Sequence, residues 1–205
     1  MDGKWDLAAE VEKAKSEAQV KTLSEPALAD AKRKLAEGDF EGCLEIYRKL
    51  LTMNAGLFGM RAFGLYGPLR DRESKRAAND WAKELVEKRL AGPDEILAWP
   101  LATLAEAIVY RPDPASTPRS DNDDQDFALA IQAAWRANEI ARGKDPWRLQ
   151  TLAKVVHASG DQQRGAELMD RSVQAARDAD WGVDEVVKIE SMRDRFRAAL
   201  RKPGE

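Results

Sequence analysis

The sequence predicts an all-α protein, a solenoid of about four helix pairs closed by one further helix at its C-terminal end. Three observations predict it. Ala, Leu, Glu, Lys and Arg dominate the 205 residues and runs of β-branched residues are nearly absent, a composition that favours helix throughout. Two segments, LAEGDFEGCLEIYRKLL and HASGDQQRGAELMDRSV, share one frame: a Gly-Asp pair, a small residue, then a stripe at +3, +4, +7 and +8 that is largely apolar. The small residues of four such segments, Cys43, Ala78, Ala130 and Gly165, are spaced 35, 52 and 35 residues apart. Two of these spacings match a helix–turn–helix repeat of about 34 residues, and the middle one is a repeat plus an insertion.

The elements follow in order. A leading helix is expected over residues 1–24, with Leu7, Val11, Ala14 and Ala18 on one face, closing that end of the array. The repeats occupy 25–178, with first helices over 25–37, 57–70, 94–110 and 146–159. Each is followed by an anchor helix. Cys43 leads Ile46, Tyr47, Leu50 and Leu51; Ala78 leads Trp81, Ala82, Leu85 and Val86. Ala130 leads Ala133, Ala134 and Ala137; Gly165 leads Leu168, Met169, Ser172 and Val173. A small anchor lets the second helix cross the first closely. Leu101, Leu104, Ala105 and Ile108 match Leu149, Leu152, Ala153 and Val156 position by position.

Proline and aspartate punctuate the pattern. Pro93 and Pro146 stand at helix starts, where a missing N–H costs nothing, whereas Pro100 inside a helical pattern predicts a kink or a late start. The stretch RPDPASTPRSDNDDQD, residues 111–126, is a loop insertion, with Asp124 or Asp126 as the cap of the next helix. The last segment, 183–201, sets Val186, Ile189, Met192, Phe196 and Leu200 on one stripe and reads as a capping helix over an exposed repeat edge.

Charge and cysteine usage narrow the function classes. A net charge of −3 without a basic block gives no footprint for nucleic acid. Cys43 is the single cysteine, which rules out a disulfide framework within the chain and any CxxC redox or zinc motif. No segment approaches the roughly 18 consecutive apolar residues of a membrane span. The opening MDGKWDLAAEVEKAKSEA lacks the apolar run of a signal peptide, so a cytoplasmic protein is expected; a periplasmic or exported location stays open if the chain is part of a longer one.

Helix–Gly-Asp–helix units with small residues at the crossing resemble tetratricopeptide (TPR) repeats, over roughly residues 25–200. The resemblance implies a right-handed α-solenoid of about four TPR-like pairs with a C-terminal capping helix. Gly143, Lys144, Asp145 and Pro146, then Leu149, Thr151, Leu152 and Ala153, then Gly160 and Asp161, resemble more specifically the helical region C-terminal to thioredoxin-like domains in bacterial proteins. The thioredoxin domain and its CxxC are missing from this chain, so the resemblance implies a repeat fold and no redox chemistry. The carboxylate clamp of TPR chaperone adaptors is disfavoured, because Leu28 and Lys32 stand where that pattern has Lys and Asn.

Candidate chemistry is sparse. His157 is the single histidine, and its sequence-local partners for general-base work are Ser159 and Asp161, both ordinary turn residues, so it reads as a residue near a bend. Cys43 reads as a small hydrophobe at a helix crossing. SDNDDQD loosely suggests calcium but lacks the Gly and Glu of an EF-hand loop, and reads as a solvated loop. The tryptophans are more informative. Trp99 and Trp147 fall at one position of adjacent repeats, Glu106 and Lys154 at a second, Val109 and His157 at a third. If first helices line the concave face, Phe63, Trp99, Glu106, Trp147, Gln150, Lys154 and His157 form a partner-binding wall, although aromatic residues at helical spacing are more often core. The expected function is a non-catalytic scaffold or adaptor for a protein or peptide, without cofactor or metal. The alternative is an accessory or detached helical region of a thioredoxin-like thiol–disulfide system, with a thioredoxin-like protein as partner.

Overall fold

The computed structural model describes residues 7–90, 92, 94–111 and 117–200, with side chains from residue 18 onward apart from 21. The helix start expected at Pro93, the side chains of Leu7, Val11 and Ala14, and residues 112–116 of the insertion lie outside the described residues. Among those described, the chain is all-α, with one isolated antiparallel bridge between Tyr110 and Pro118.

Ten α-helices carry the fold: α1 Leu7–Glu37, α2 Phe40–Met53, α3 Ala55–Phe63, α4 Tyr66–Arg72, α5 Lys75–Glu84, α6 Ala98–Val109, α7 Asp124–Ile140, α8 Pro146–Ala158, α9 Gln162–Asp178 and α10 Val183–Leu200. They divide into two compact units, Met1–Phe58 and Gly59–Glu205. In the first, α1 and α2 pack as a hairpin. In place of separate helices over 1–24 and 25–37, α1 runs unbroken through Pro26. The missing N–H removes one bond of the ladder, and the other turns of the long helix carry it across.

The Gly-Asp turns behave as one device used twice. Gly38 (φ +82°) and Gly160 (φ +100°) take the left-handed conformation that ends a helix without a Cβ penalty. Asp39 and Asp161 then cap the next helix, accepting from the backbone N–H of Gly42 at 2.9 Å and of Arg164 at 3.1 Å.

In the second unit each helix packs on the one it is hairpinned with: α4 on α5, α6 on α7, α8 on α9, and α10 on α9. The lead helices are also mutual neighbours, α4 with α6 and α6 with α8, while α5 touches α7 and α7 touches α8. The matched residues Leu101, Leu104, Ala105 and Ile108 of α6 and Leu149, Leu152, Ala153 and Val156 of α8 are all buried in the core between them. All four anchors are buried as well, Cys43, Ala78, Ala130 and Gly165. A Cβ on Gly165 would sit 2.7 Å from His157 Cβ and 3.0 Å from its Cα, so at this crossing the two backbones are in near contact. Pro100 marks a late start: α6 begins at Ala98 after a 3-10 turn at Glu95–Leu97, and the proline falls in the first turn, where no N–H is needed. Beyond α5 the chain widens into a π-helical turn, Leu85–Arg89, closed by Leu90 N–H donating to the Leu85 carbonyl at 2.8 Å.

The polar end of the insertion is tied down. The cap of α7 is Asp123 rather than Asp124 or Asp126: its carboxylate accepts from the N–H of Gln125 (2.9 Å) and Asp126 (3.1 Å). Asp126 is instead fully buried at the third helical position and returns a bond from the Asp123 N–H at 2.9 Å, completing a capping box. It also accepts from Asn79 at 2.6 Å and pairs with Lys75 at 2.7 Å. Around it, buried Arg70 donates to Tyr66 Oη at 2.8 Å and pairs with Asp121 at 2.8 Å. Removing one partner of such a buried charged cluster leaves the others without a countercharge. Asp126→Ala is therefore expected to cost about 3–5 kcal/mol in urea denaturation, whereas Asp124→Ala, exposed and not the cap, leaves the midpoint nearly unchanged.

Candidate functional site

The face shared by α6 and α8 carries the most distinctive surface chemistry. Trp99 and Trp147 each occupy the second position of their helix, a place set by the start of α6 at Ala98 and the Asp145 cap of α8. Both are half exposed, 51% and 45%. Arg148 places its guanidinium 4.9 Å from the centre of the Trp99 ring and 3.4 Å from the Asp145 carboxylate. Trp147 in turn meets Trp181, from the turn between α9 and α10, at 5.2 Å. Two contacts thus lie at the starts of α6 and α8, one cation–aromatic (Arg148–Trp99) and one aromatic pair (Trp147–Trp181).

Two turns further along, Glu106 of α6 and Lys154 of α8 meet at 3.0 Å, and Thr151 Oγ1 donates to the same carboxylate at 3.1 Å. Tyr110 Oη donates to the Lys154 carbonyl at 3.0 Å. Burial, with Glu106 nearby, pushes the Tyr110 phenol up to about 12, so it remains a proton donor at neutral pH. A half-exposed ion pair contributes only about 0–1 kcal/mol; Glu106 and Lys154 matter chiefly because, with the Tyr110 bond, they fix α6 against α8 in register.

Of the expected wall residues, Glu106 and Lys154 meet directly, and Trp99 and Trp147 stand half exposed at the starts of the same two helices. Gln150 is buried, and so is Val109. Phe63 ends α3 half-buried and is not among the residues that join α6 to α8. His157 is covered: its ring stacks on Phe196 of α10, centroids 3.9 Å apart. Arg148, Tyr110 and Trp181 carry no expectation from the sequence, and Thr151 figures there only as part of the resemblance. Arg148 and Thr151 adjoin named residues and only spatial neighbours reveal their roles, whereas Trp181 in DADWGVDE carried a legible signal, a lone aromatic in a turn.

The surroundings of His157 bear on catalysis. Ser159 Oγ donates to the Val156 carbonyl at 2.7 Å and Asp161 caps α9, so neither addresses the imidazole. His157 Nε2 is buried and has no hydrogen-bond partner. Burial lowers the imidazole from its ordinary value of 6.5. A charged ring would gain about 0.5–1 kcal/mol from the Phe196 face, but an unanswered buried N–H costs about 1–3 kcal/mol and more when charged. Burial wins, and the ring is neutral at pH 7. Cys43 is also buried, and burial followed by the Asp39 charge pushes its thiol up, away from thiolate chemistry. Among the described residues no group of three or more His, Cys, Asp and Glu is placed to hold a metal ion, and no helix is long and apolar enough to cross a membrane.

The tryptophans separate by stability. Trp81 is 2% exposed and donates to the Ala62 carbonyl at 2.9 Å. Trp81→Ala is expected to cost roughly 3–5 kcal/mol, and Trp99→Ala about 1 kcal/mol or less, in denaturant titrations followed by circular dichroism. Gly165→Ala, with no room for its methyl against the α8 backbone, is expected to cost about 1–3 kcal/mol in the same measurement.

No protein-family model matches the sequence, and neither a curated protein nor a solved structure does.

Proposed function

We propose that this chain is a non-catalytic interaction module, a TPR-like right-handed solenoid of about four helix pairs with α10 as its cap, which recruits a protein or peptide across the α6–α8 face. The observation that carries the reading is the pair Trp99 and Trp147, half exposed at equivalent helix positions, with Arg148 laid against the Trp99 ring. Large aromatic rings and arginine are the side chains that dominate binding energy at interfaces, because they bring much area for few rotatable bonds. A partner covering the exposed halves of both rings, roughly 200 Å² together, gains about 5 kcal/mol from area alone. That is enough for a hot spot and too little for tight binding without further contacts, given the cost of association. The neighbour relations of α4, α6 and α8 support the solenoid, since in stacked helix pairs the lead helices line one wall.

A second reading keeps the Gly143–Pro146 turn and its likeness to helical regions beside thioredoxin-like domains. Gly143 there takes φ +66° and Asp145 caps α8 at 3.1 Å, local geometry that serves any tight helix–helix turn. It makes a thioredoxin-like protein the first partner to test.

Immobilised wild-type protein and the Trp99→Ala/Trp147→Ala double variant, each incubated with extract of the native cell, distinguish the readings. The double variant is expected to lose at least about tenfold of the specifically captured protein, the equivalent of one small hot spot. Identical captured sets from both proteins count against the α6–α8 face. Recovery of a thioredoxin-like protein by both, lost on neither substitution, favours the second reading.

A further inference from the structure

His157 is the residue the proposed interaction leaves unused, and its setting is unusual for a surface histidine. It sits near the end of α8, with the backbone of α9 closed against it at Gly165 and the Phe196 ring of α10 stacked on its face at 3.9 Å. Its Nε2 is buried without an acceptor. The charged groups on the surrounding elements are committed elsewhere. On α8, Lys154 pairs with Glu106; on α9, Asp161 caps its own helix, Arg164 lies over Trp135 and Asp170 pairs with Arg197 of α10. On α10, Arg193 pairs with Asp194 and Glu190 also engages Arg177 of α9. Among the described residues none of these groups hydrogen-bonds His157 Nε2.

Ile189 is the fully buried residue of α10, while Val183 and Val187 stand exposed. Val186, Met192 and Phe196 are half-buried, α10 packs along α9, and the pairs Arg197–Asp170 and Arg177–Glu190 also join the two helices. A change at the His157–Phe196 stack therefore acts directly on a contact at the Phe196 end of α10.

We propose that His157 is an acid-sensitive latch: protonation of its imidazole loosens α10 at the Phe196 end and uncovers the part of α8 and α9 beneath it. The direction follows from linkage. A histidine titrating lower in the docked state than in the released one stabilises docking fully above the ordinary histidine range, and that contribution is lost as pH falls through the docked-state midpoint. Histidine is the side chain whose ordinary range lies closest below neutrality, and His157 is the single histidine, so the window between neutral and mildly acidic pH belongs to it.

The test uses the full chain. Amide hydrogen exchange, corrected for intrinsic rates, is followed by mass spectrometry from about pH 7.5 to about pH 5.5. Protection of α10 is expected to fall on acidification by up to about tenfold for each pH unit between the released and docked midpoints, while α6 and α7 keep theirs. In His157→Phe, which retains an aromatic ring against Phe196, α10 is expected to stay protected at both pH values. Unchanged α10 protection in the wild type, or the same acid response in His157→Phe, overturns the latch. Should the variant fail to fold, an NMR titration of the single histidine in the wild type decides: a midpoint below 6.5 is expected, and one at or above it overturns the proposal.

Discussion

The closeness with which one helix crosses the next is the constraint on which the rest of the second unit depends. At Gly165 the α9 backbone lies against His157 so tightly that a single methyl has no place. Ala78 and Ala130 are likewise wholly buried at the corresponding positions of their helices. Small residues at the crossings bring the axes together, and only at short axial distance do the leucine and alanine stripes of α6 and α8 leave no void. Everything built on the outer face inherits that geometry. Trp99 and Arg148 meet because α6 and α8 lie side by side in fixed register, with Glu106, Thr151, Lys154 and Tyr110 locking the offset.

The buried carboxylate of Asp126 plays a different part. An insertion rich in proline and aspartate between two helices is a candidate for an unattached excursion. Here its C-terminal end is drawn inward: Asp126 satisfies the N-terminus of α7 on one side and collects Asn79 and Lys75 of α5 on the other. The Asn122 amide donates to the Val109 carbonyl at 2.8 Å, joining the end of α6 to the same cluster. A desolvated charge of this kind is costly alone, and its several partners are what make it tolerable. The cluster thus fixes where α7 begins and spares the repeat from the length of the loop.

Much of this was legible in the chain. Glycine before aspartate twice, each followed by a small residue and a helical stripe, located the turns of both α1–α2 and α8–α9, because positive φ and side-chain capping each restrict residue choice sharply. What escaped had physical reasons. A separate first helix was expected from residue 25, yet α1 continues through Pro26, since a long helix loses only one bond to a proline. Three aspartates within four positions could each cap α7, and the choice of Asp123 depended on Lys75 and Asn79, about fifty residues upstream, pairing with the buried Asp126. For the candidate face, equivalence of Trp99 and Trp147 was visible from spacing, whereas Arg148 stacking and the covering of His157 by Phe196 were not, because both arise between elements far apart in sequence.

The π-helical turn at Leu85–Arg89 has a bearing on how the chain tolerates change in length. Such a turn is an α-helix holding one surplus residue, and each residue of an α-helix advances the azimuth by about 100°. Absorbed there, the surplus leaves Leu85 and Leu90 both wholly interior, bonded to each other end to end. Excision of one residue from this segment would restore regular winding yet swing all that follows around the axis, so the bulge acts as a phase corrector that aims the polypeptide into its third hairpin.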